Sequence, residues 1–125
     1  MLNPRDAVLV LVDFQSRLAE IVHRSESVVP NILRLVKGCQ TLELPILPTL
    51  QVPEKLGPMP PELASTLTGI KPIPKQAFSA LRVPEFQKEL DQSGRKQVLL
   101  TGIEAHVCVM QSGLDLLDAG YEVYV

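Results

Sequence analysis

The sequence predicts a doubly wound α/β fold of Rossmann-like arrangement, a mostly parallel sheet flanked by helices on both faces. Three observations point there. Residues 7–13 read AVLVLVD, an apolar, β-branched run closed by a carboxylate, which is the pattern of a strand covered on both sides. Strand patterns and helix patterns then alternate along the chain, as parallel sheets with crossover helices require. The 125 residues, 46% hydrophobic and 21% charged, are enough for one domain around one core and make disorder the wrong default.

The elements follow in order. After the first strand, DFQSRL reads as a turn. A helix starts at Ser27, tolerates Pro30 in its first turn, and places Ile32, Leu35, Val36, Cys39 and Leu42 on one side, with Cys39 as a small core residue. PILPTLQ, residues 45–51, has strand length although Pro48 withholds a ladder donor. Nine of the eleven prolines lie from Pro45 to Pro84, so VPEKLGPMPPE predicts an ordered loop or lid and no domain boundary.

KPIPKQAFSAL, residues 71–81, has room for a short edge strand. VPEFQKELDQSG predicts a helix opened by Pro84, with Val83, Phe86 and Leu90 on one face and Gly94 as its stop. RKQVLLTGI is the next buried strand. HVCVMQSGLDLLDAG predicts a helix with Val107, Met110, Leu114 and Leu117 on one apolar face, and YEVYV begins a last strand.

Charge and composition exclude several classes. A net charge of −2 with scattered cations leaves no footprint for a phosphate backbone or an anionic membrane, and five aromatic residues offer few stacking platforms. The longest apolar runs are far too short to cross a bilayer, and the N-terminus does not resemble an export signal. Two cysteines without metal-finger or C-x-x-C spacing fit reduced thiols in a cytoplasmic protein. His23 has no helical H-x-x-x-H partner, so no protein-bound metal is expected.

Doubly wound sheets bind ligands at the carboxyl ends of their strands. Three reactive side chains fall on that rim: Asp13 after the first strand, Lys75 at the short strand, and Cys108 in the first helical turn after QVLLTGI. Taken singly, each has an ordinary reading as turn cap, solvated cation and core thiol. Taken together they form a nucleophile, a proton acceptor and a cation, with the helix N-terminus biasing the thiol toward thiolate. His106, two positions before Cys108, is awkwardly placed to be its base and is expected to line the pocket or face solvent.

The blocks VLVLVDFQ, PTLQVPEKLG, PKQAFSAL and VLLTGIEAHVCVMQSGLDLLDAGYEVYV resemble the isochorismatase-like hydrolase family of cysteine hydrolases. The resemblance spans the whole chain and implies a catalytic triad of Asp13 as general base, Lys75 as electrostatic partner and Cys108 as nucleophile. It also implies a cis peptide at Ile103-Glu104 and an oxyanion hole made by the backbone amides of Glu104 and Cys108. TLQVPEKLG lacks the His ligands of the nicotinamidase branch, so the small metal-free branch, without cofactor, is the expected one. Family members continue past YEVYV with a further helix and strand, so residues 1–125 are expected to be a partial single domain, and oligomers are common in the family.

The expected function is hydrolysis of a small amide, carbamoyl or related carbonyl substrate through a thioester-type intermediate. Phe14, Gln15, Phe78 and His106 are expected to line the pocket because of their nearness to the triad. The expected partners are a small-molecule substrate and further copies of the chain, with neither nucleic acid nor membrane. The alternative is a family fold kept as a ligand-binding or protein-interaction module with little turnover. A nucleotide-binding domain is disfavoured because neither G-x-G-x-x-G nor a Walker loop is present.

Overall fold

The structure is a computed structural model that describes residues 1–125. Five parallel strands, β1 (Ala7–Val12), β2 (Ile46–Gln51), β3 (Ile73–Lys75), β4 (Gln97–Gly102) and β5 (Glu122–Tyr124), form one sheet in the order β3-β2-β1-β4-β5. Every residue of β1 is buried, which is why its sequence shows no polar alternation. Leu9 is in register with Ile46 on one side, and Val12 with Gly102 on the other.

The helices are α1 (Ser16–Ile21), α2 (Ser25–Thr41), α3 (Pro53–Leu56), α4 (Pro61–Thr66), α5 (Pro84–Ser93) and α6 (Met110–Asp118), with a 3-10 turn at Ala80–Arg82 and a π turn at Ala105–Val109. They build one core layer on each face of the sheet. Ala7, Leu9 and Leu11 pack with Ile32, Val36 and Cys39 of α2 and Leu63 of α4. Val8, Val10 and Val12 pack with Phe86 and Leu90 of α5, Val109 and Leu116. Each buried Val, Leu, Ile or Phe among them contributes about 1.5–3 kcal/mol by leaving water. No helix is long and apolar enough to cross a membrane.

The doubly wound parallel sheet is as expected, and four local readings are corrected. The second half of DFQSRL opens α1, whose six residues are too few for a periodic signal. The proline-rich segment contains α3 and α4, each with its proline in the first helical turn, where a missing N–H costs nothing. The second helix starts at Ser25, and Leu42 lies beyond its end, 58% exposed.

The fourth correction concerns α6, which turns the other apolar stripe inward. Met110, Leu114 and Leu117 are 49%, 59% and 55% exposed, while Ser112, Gly113 and Leu116 are buried. Both stripes have helical spacing, but only the second carries residues small enough for close approach to β4. A Cβ on Gly113 would sit 3.3 Å from Leu100 Cδ2.

A closer crossing joins β1 to β4. Gly102 has φ +138°, a Cβ there would lie 2.0 Å from the Val12 carbonyl oxygen, and Ile103 N donates to that same oxygen at 2.9 Å. Only glycine permits this contact. Gly102→Ala is expected to destabilise the fold by about 3 kcal/mol or more. Gly38→Ala, on the exposed side of α2 with nothing within 4 Å of the added methyl, is expected to stabilise it by about 0.5–1 kcal/mol. Denaturant midpoints of the two variants against the parent check both.

Candidate active site

Chain direction across the sheet reverses between β1 and β4, since β2 and β3 extend one way from β1 and β4 and β5 the other. The carboxyl ends of those two strands are therefore where a crevice opens. Asp13 leaves β1 there with φ +49°, in the left-handed region, and its backbone N–H is held by the Thr49 carbonyl at 3.2 Å. Lys75 ends β3, and Cys108 lies in the π turn after β4.

The structure brings the three together. Lys75 Nζ lies 2.7 Å from Asp13 Oδ2, with both side chains fully buried. Charge and distance make this contact, and Asp13 Oδ2 has no hydrogen-bond partner. Oδ1 is satisfied separately by the Thr49 hydroxyl, which donates at 2.8 Å. Lys75 Nζ donates to Gln51 Oε1 at 2.6 Å, Phe78 O at 2.9 Å and Ala77 O at 3.1 Å. A buried ammonium tolerates this position because all its protons find oxygen.

Cys108 is 6% exposed and feels both members of the ion pair. Burial pushes its thiol up to about 11, hydrogen bonding to Asp13 and its negative charge push the same way, and Lys75 pulls down. This corrects the expectation that the turn would bias the thiol toward thiolate: desolvation and the carboxylate outweigh the turn and the ammonium. Cys39 lies in the core layer on the opposite face of the sheet, and both thiols are free.

The Ile103-Glu104 peptide is cis, as the resemblance implies. The Glu104 carbonyl then collects the amides of Val107 at 3.1 Å and Val109 at 3.2 Å, which shapes the turn holding Cys108. The loop after Lys75 is pinned to the same helix from the other side. Ala80 N donates to Ser112 Oγ at 2.9 Å, and Arg82 donates to both carboxylate oxygens of Asp115 at 2.7 and 3.1 Å.

Two expected pocket residues are corrected. Phe14 is 1% exposed and belongs to the core beneath α1 and α2. Gln15 is fully buried with its amide spent on backbone: it accepts from Gln51 N at 2.8 Å and donates to Gln51 O at 3.0 Å and Gly57 O at 2.7 Å. Phe78 is 51% exposed and lines a cavity of about 340 Å³ with Ser79, Arg82, Gln111, Leu114 and Asp115. His106 lines another of about 500 Å³ with Leu18, Val22, His23, Ile103 and Glu104. No group of three or more His, Cys, Asp or Glu side chains is arranged to hold a metal ion.

Sequence reasoning missed Thr49 and Gln51, the side chains that hold the ion pair. The signal was present: TLQ closes an otherwise apolar strand with two polar residues at i and i+2, hence on one face.

Fold and site together define a doubly wound α/β protein with a carboxylate, ammonium and thiol gathered at its switch point. The chain belongs to the isochorismatase domain family, whose sequence model matches residues 7–125. A mouse relative, isochorismatase domain-containing protein 2A, is 41% identical over 123 residues, covering 98% of this chain and 58% of the relative. Among solved structures, the YcaC gene product of Escherichia coli, described as an octameric hydrolase of unknown specificity, is 27% identical with a TM-score of 0.91. The MAR1 ribonuclease of Caenorhabditis elegans is 33% identical with a TM-score of 0.87. The chain covers 62% of each of these two and is itself covered to 98%.

In a Cys39→Ser background, a thiolate absorbance titration is expected to place Cys108 near 11, lower in Asp13→Asn and higher in Lys75→Met. A parent midpoint near 8 would contradict the balance described above. The same shift links pH to stability. The folded thiol keeps its proton to about 11 while the ordinary value is 9.0, so its contribution is complete below pH 9 and is lost as pH rises through 11. That alkaline loss is expected to shrink in Cys108→Ser.

Proposed function

We propose that the protein is a hydrolase of a small amide, carbamoyl or related carbonyl compound, with Cys108 as nucleophile, Asp13 as general base and Lys75 as the fixed charge that orients Asp13. One observation carries this reading: Asp13 Oδ2 faces Lys75 without an aligned hydrogen bond, while the Cys108 thiol is within the carboxylate's influence. That oxygen has a lone pair to accept a proton. The family's hydrolase members and the hydrolase description of the E. coli neighbour support the class of reaction.

The steps follow from the groups present. As the substrate carbonyl carbon reaches Sγ, the S–C bond forms and the thiol proton passes to Asp13 Oδ2. The oxygen, now negative, is received by the backbone amides of Glu104 and Cys108; such donors are worth about 3 kcal/mol each. Asp13 returns the proton to the leaving nitrogen, the C–N bond breaks, and a thioester remains. Water then gives a proton to Asp13 as it attacks the thioester, and the expelled sulfur takes that proton back. Phe78 and His106, each lining a cavity that Asp13, Lys75 and Cys108 do not line, are proposed to meet the substrate body.

The chain spans 58% of its mouse relative, and the substrate is proposed from chemistry alone. A net charge of −2 and a buried thiol centre favour a small neutral carbonyl compound over RNA, although the C. elegans neighbour is described as a ribonuclease. A second reading, a ligand-binding module with little turnover, draws support from the thiol's burial and high pKa.

A panel of small amides and carbamoyl compounds, followed by mass spectrometry for an acyl adduct, separates the two. Hydrolysis with an adduct on Cys108 is expected; Cys108→Ala is expected to lose both and Cys39→Ala neither. Binding without turnover or adduct across the panel would favour the module. The outward stripe Met110, Leu114 and Leu117 and the octamer described for the E. coli neighbour favour self-association. Sedimentation is expected to show a smaller species for the Leu114→Glu, Leu117→Glu double variant than for the parent.

A further inference from the structure

We infer that Gln51 is a positioning residue of this site: its amide oxygen fixes the Lys75 ammonium between Asp13 and the loop carbonyls, and so tunes Cys108. The inference rests on the Asp13, Lys75 and Cys108 reading given above and assigns a role to a fourth side chain. Gln51 is 8% exposed and ends β2 next to Lys75, with which it is in register. Its Oε1 accepts from Lys75 Nζ at 2.6 Å, the shortest of that ammonium's hydrogen bonds.

The amide cannot turn round without loss. Its Nε2 donates to the Gln76 carbonyl at 2.8 Å, so the oxygen is the end that faces Lys75. Reversal would set an N–H against an ammonium and an oxygen against a carbonyl. The backbone of Gln51 is held in turn by Gln15, whose amide accepts from Gln51 N and donates to Gln51 O and Gly57 O. Gln15 thereby ties the β2 terminus to the segment after α3, which Ser16 N also grips through Pro58 O at 2.9 Å. Two buried amides thus brace the ammonium against a loop on the rim.

The occupancy of Lys75 defines what the brace does. An ammonium has three protons, and here three acceptors take them, Gln51 Oε1, Ala77 O and Phe78 O, with Asp13 Oδ2 facing it as a counter-charge. No proton is left to point at a substrate. Lys75 therefore acts through its charge on Asp13 and Cys108, and charge acts steeply with distance at a buried site. Without the Gln51 oxygen the ammonium is held only by Asp13 and by carbonyls of one loop, and its pull on the thiol weakens as it moves.

Alkylation of Cys108 by iodoacetamide as a function of pH tests this without a known substrate, in a Cys39→Ser background. Gln51→Met keeps the length and removes the acceptor; Gln51→Glu keeps the acceptor and adds a negative charge beside Lys75. Below the midpoint the rate follows the thiolate fraction, so a rise of one pH unit in midpoint reads as a tenfold slower rate at fixed pH. Gln51→Met is expected to slow alkylation at pH 8 by about three- to tenfold and Gln51→Glu by more, with Lys75→Met slowest. Far-UV circular dichroism and melting temperature confirm which variants fold.

A purely structural role for Gln51 would lower the melting temperature and leave the alkylation midpoint in place in the folded variants. That result, with Lys75→Met and Asp13→Asn still moving the midpoint, would overturn the inference and leave the triad standing. If Lys75→Met and Asp13→Asn leave the midpoint unmoved as well, the triad reading itself falls. Should Gln51→Met fail to fold, Gln51→Glu carries the test, and an unchanged or faster rate there overturns the inference.

Discussion

A carboxylate and an ammonium with no exposure to water, 2.7 Å apart, set the terms for everything around them. Removing two charges from water costs several kcal/mol each, and their attraction offsets this only when the remaining lone pairs and protons are also satisfied. The surroundings meet that demand from three directions. Thr49 takes one carboxylate oxygen, Gln51 takes one ammonium proton, and the turn after Lys75 offers the carbonyls of Ala77 and Phe78. A stable core needs none of this. Leu and Val at the same places would cost less, so the pair is weak evidence of a stabilising role and accords with the proposed catalytic one.

The sheet makes the pair possible by bringing three strand ends onto one rim. Parallel order places the carboxyl ends of β1, β2 and β3 side by side, so Asp13, Gln51 and Lys75 become neighbours although they are widely separated in sequence. The thiol arrives from the other side of the switch point. For that, β4 must continue past β1 at close range, which the absent side chain of Gly102 allows, and the turn at Ile103-Glu104 must then redirect the chain into α6. Backbone geometry at two residues thus decides where a sulfur atom sits.

Most of the fold was legible because burial on both faces leaves an unmistakable mark: AVLVLV and QVLL have no polar alternation to confuse them with surface strands. The three reactive residues were legible for a topological reason, since a strand-end rule applied to a sheet of known class is almost a coordinate. What stayed hidden shares one cause. The inward face of α6 is marked by Ser112 and Gly113, whose smallness matters only once Leu100 is opposite them. Phe14 and Gln15 looked like pocket residues because they follow Asp13, yet the positive φ at Asp13 turns the chain, and both are consumed by the interior. Thr49 and Gln51 were legible only as residues of a strand. In each case the meaning of a side chain comes from a partner distant in sequence.

The high pKa of Cys108 bears on how such a centre can work. A thiol titrating near 11 holds on the order of one thiolate in ten thousand at pH 7, so a mechanism that waits for the free anion starts from a rare species. Burial is the largest cause of that penalty. In the proposed hydrolase the neighbouring carboxylate offers a way round it. If the proton moves to Asp13 while the S–C bond forms, the negative charge never resides on sulfur in a dry site; it passes to the substrate oxygen, where backbone amides can receive it. In that proposed reading Lys75 has a task suited to a group with no proton to spare, which is to keep Asp13 aligned and charged until the substrate arrives. In the proposed hydrolase, neutral nucleophile, paired base and saturated cation are three aspects of one solution: reactivity is withheld until a carbonyl arrives to be attacked.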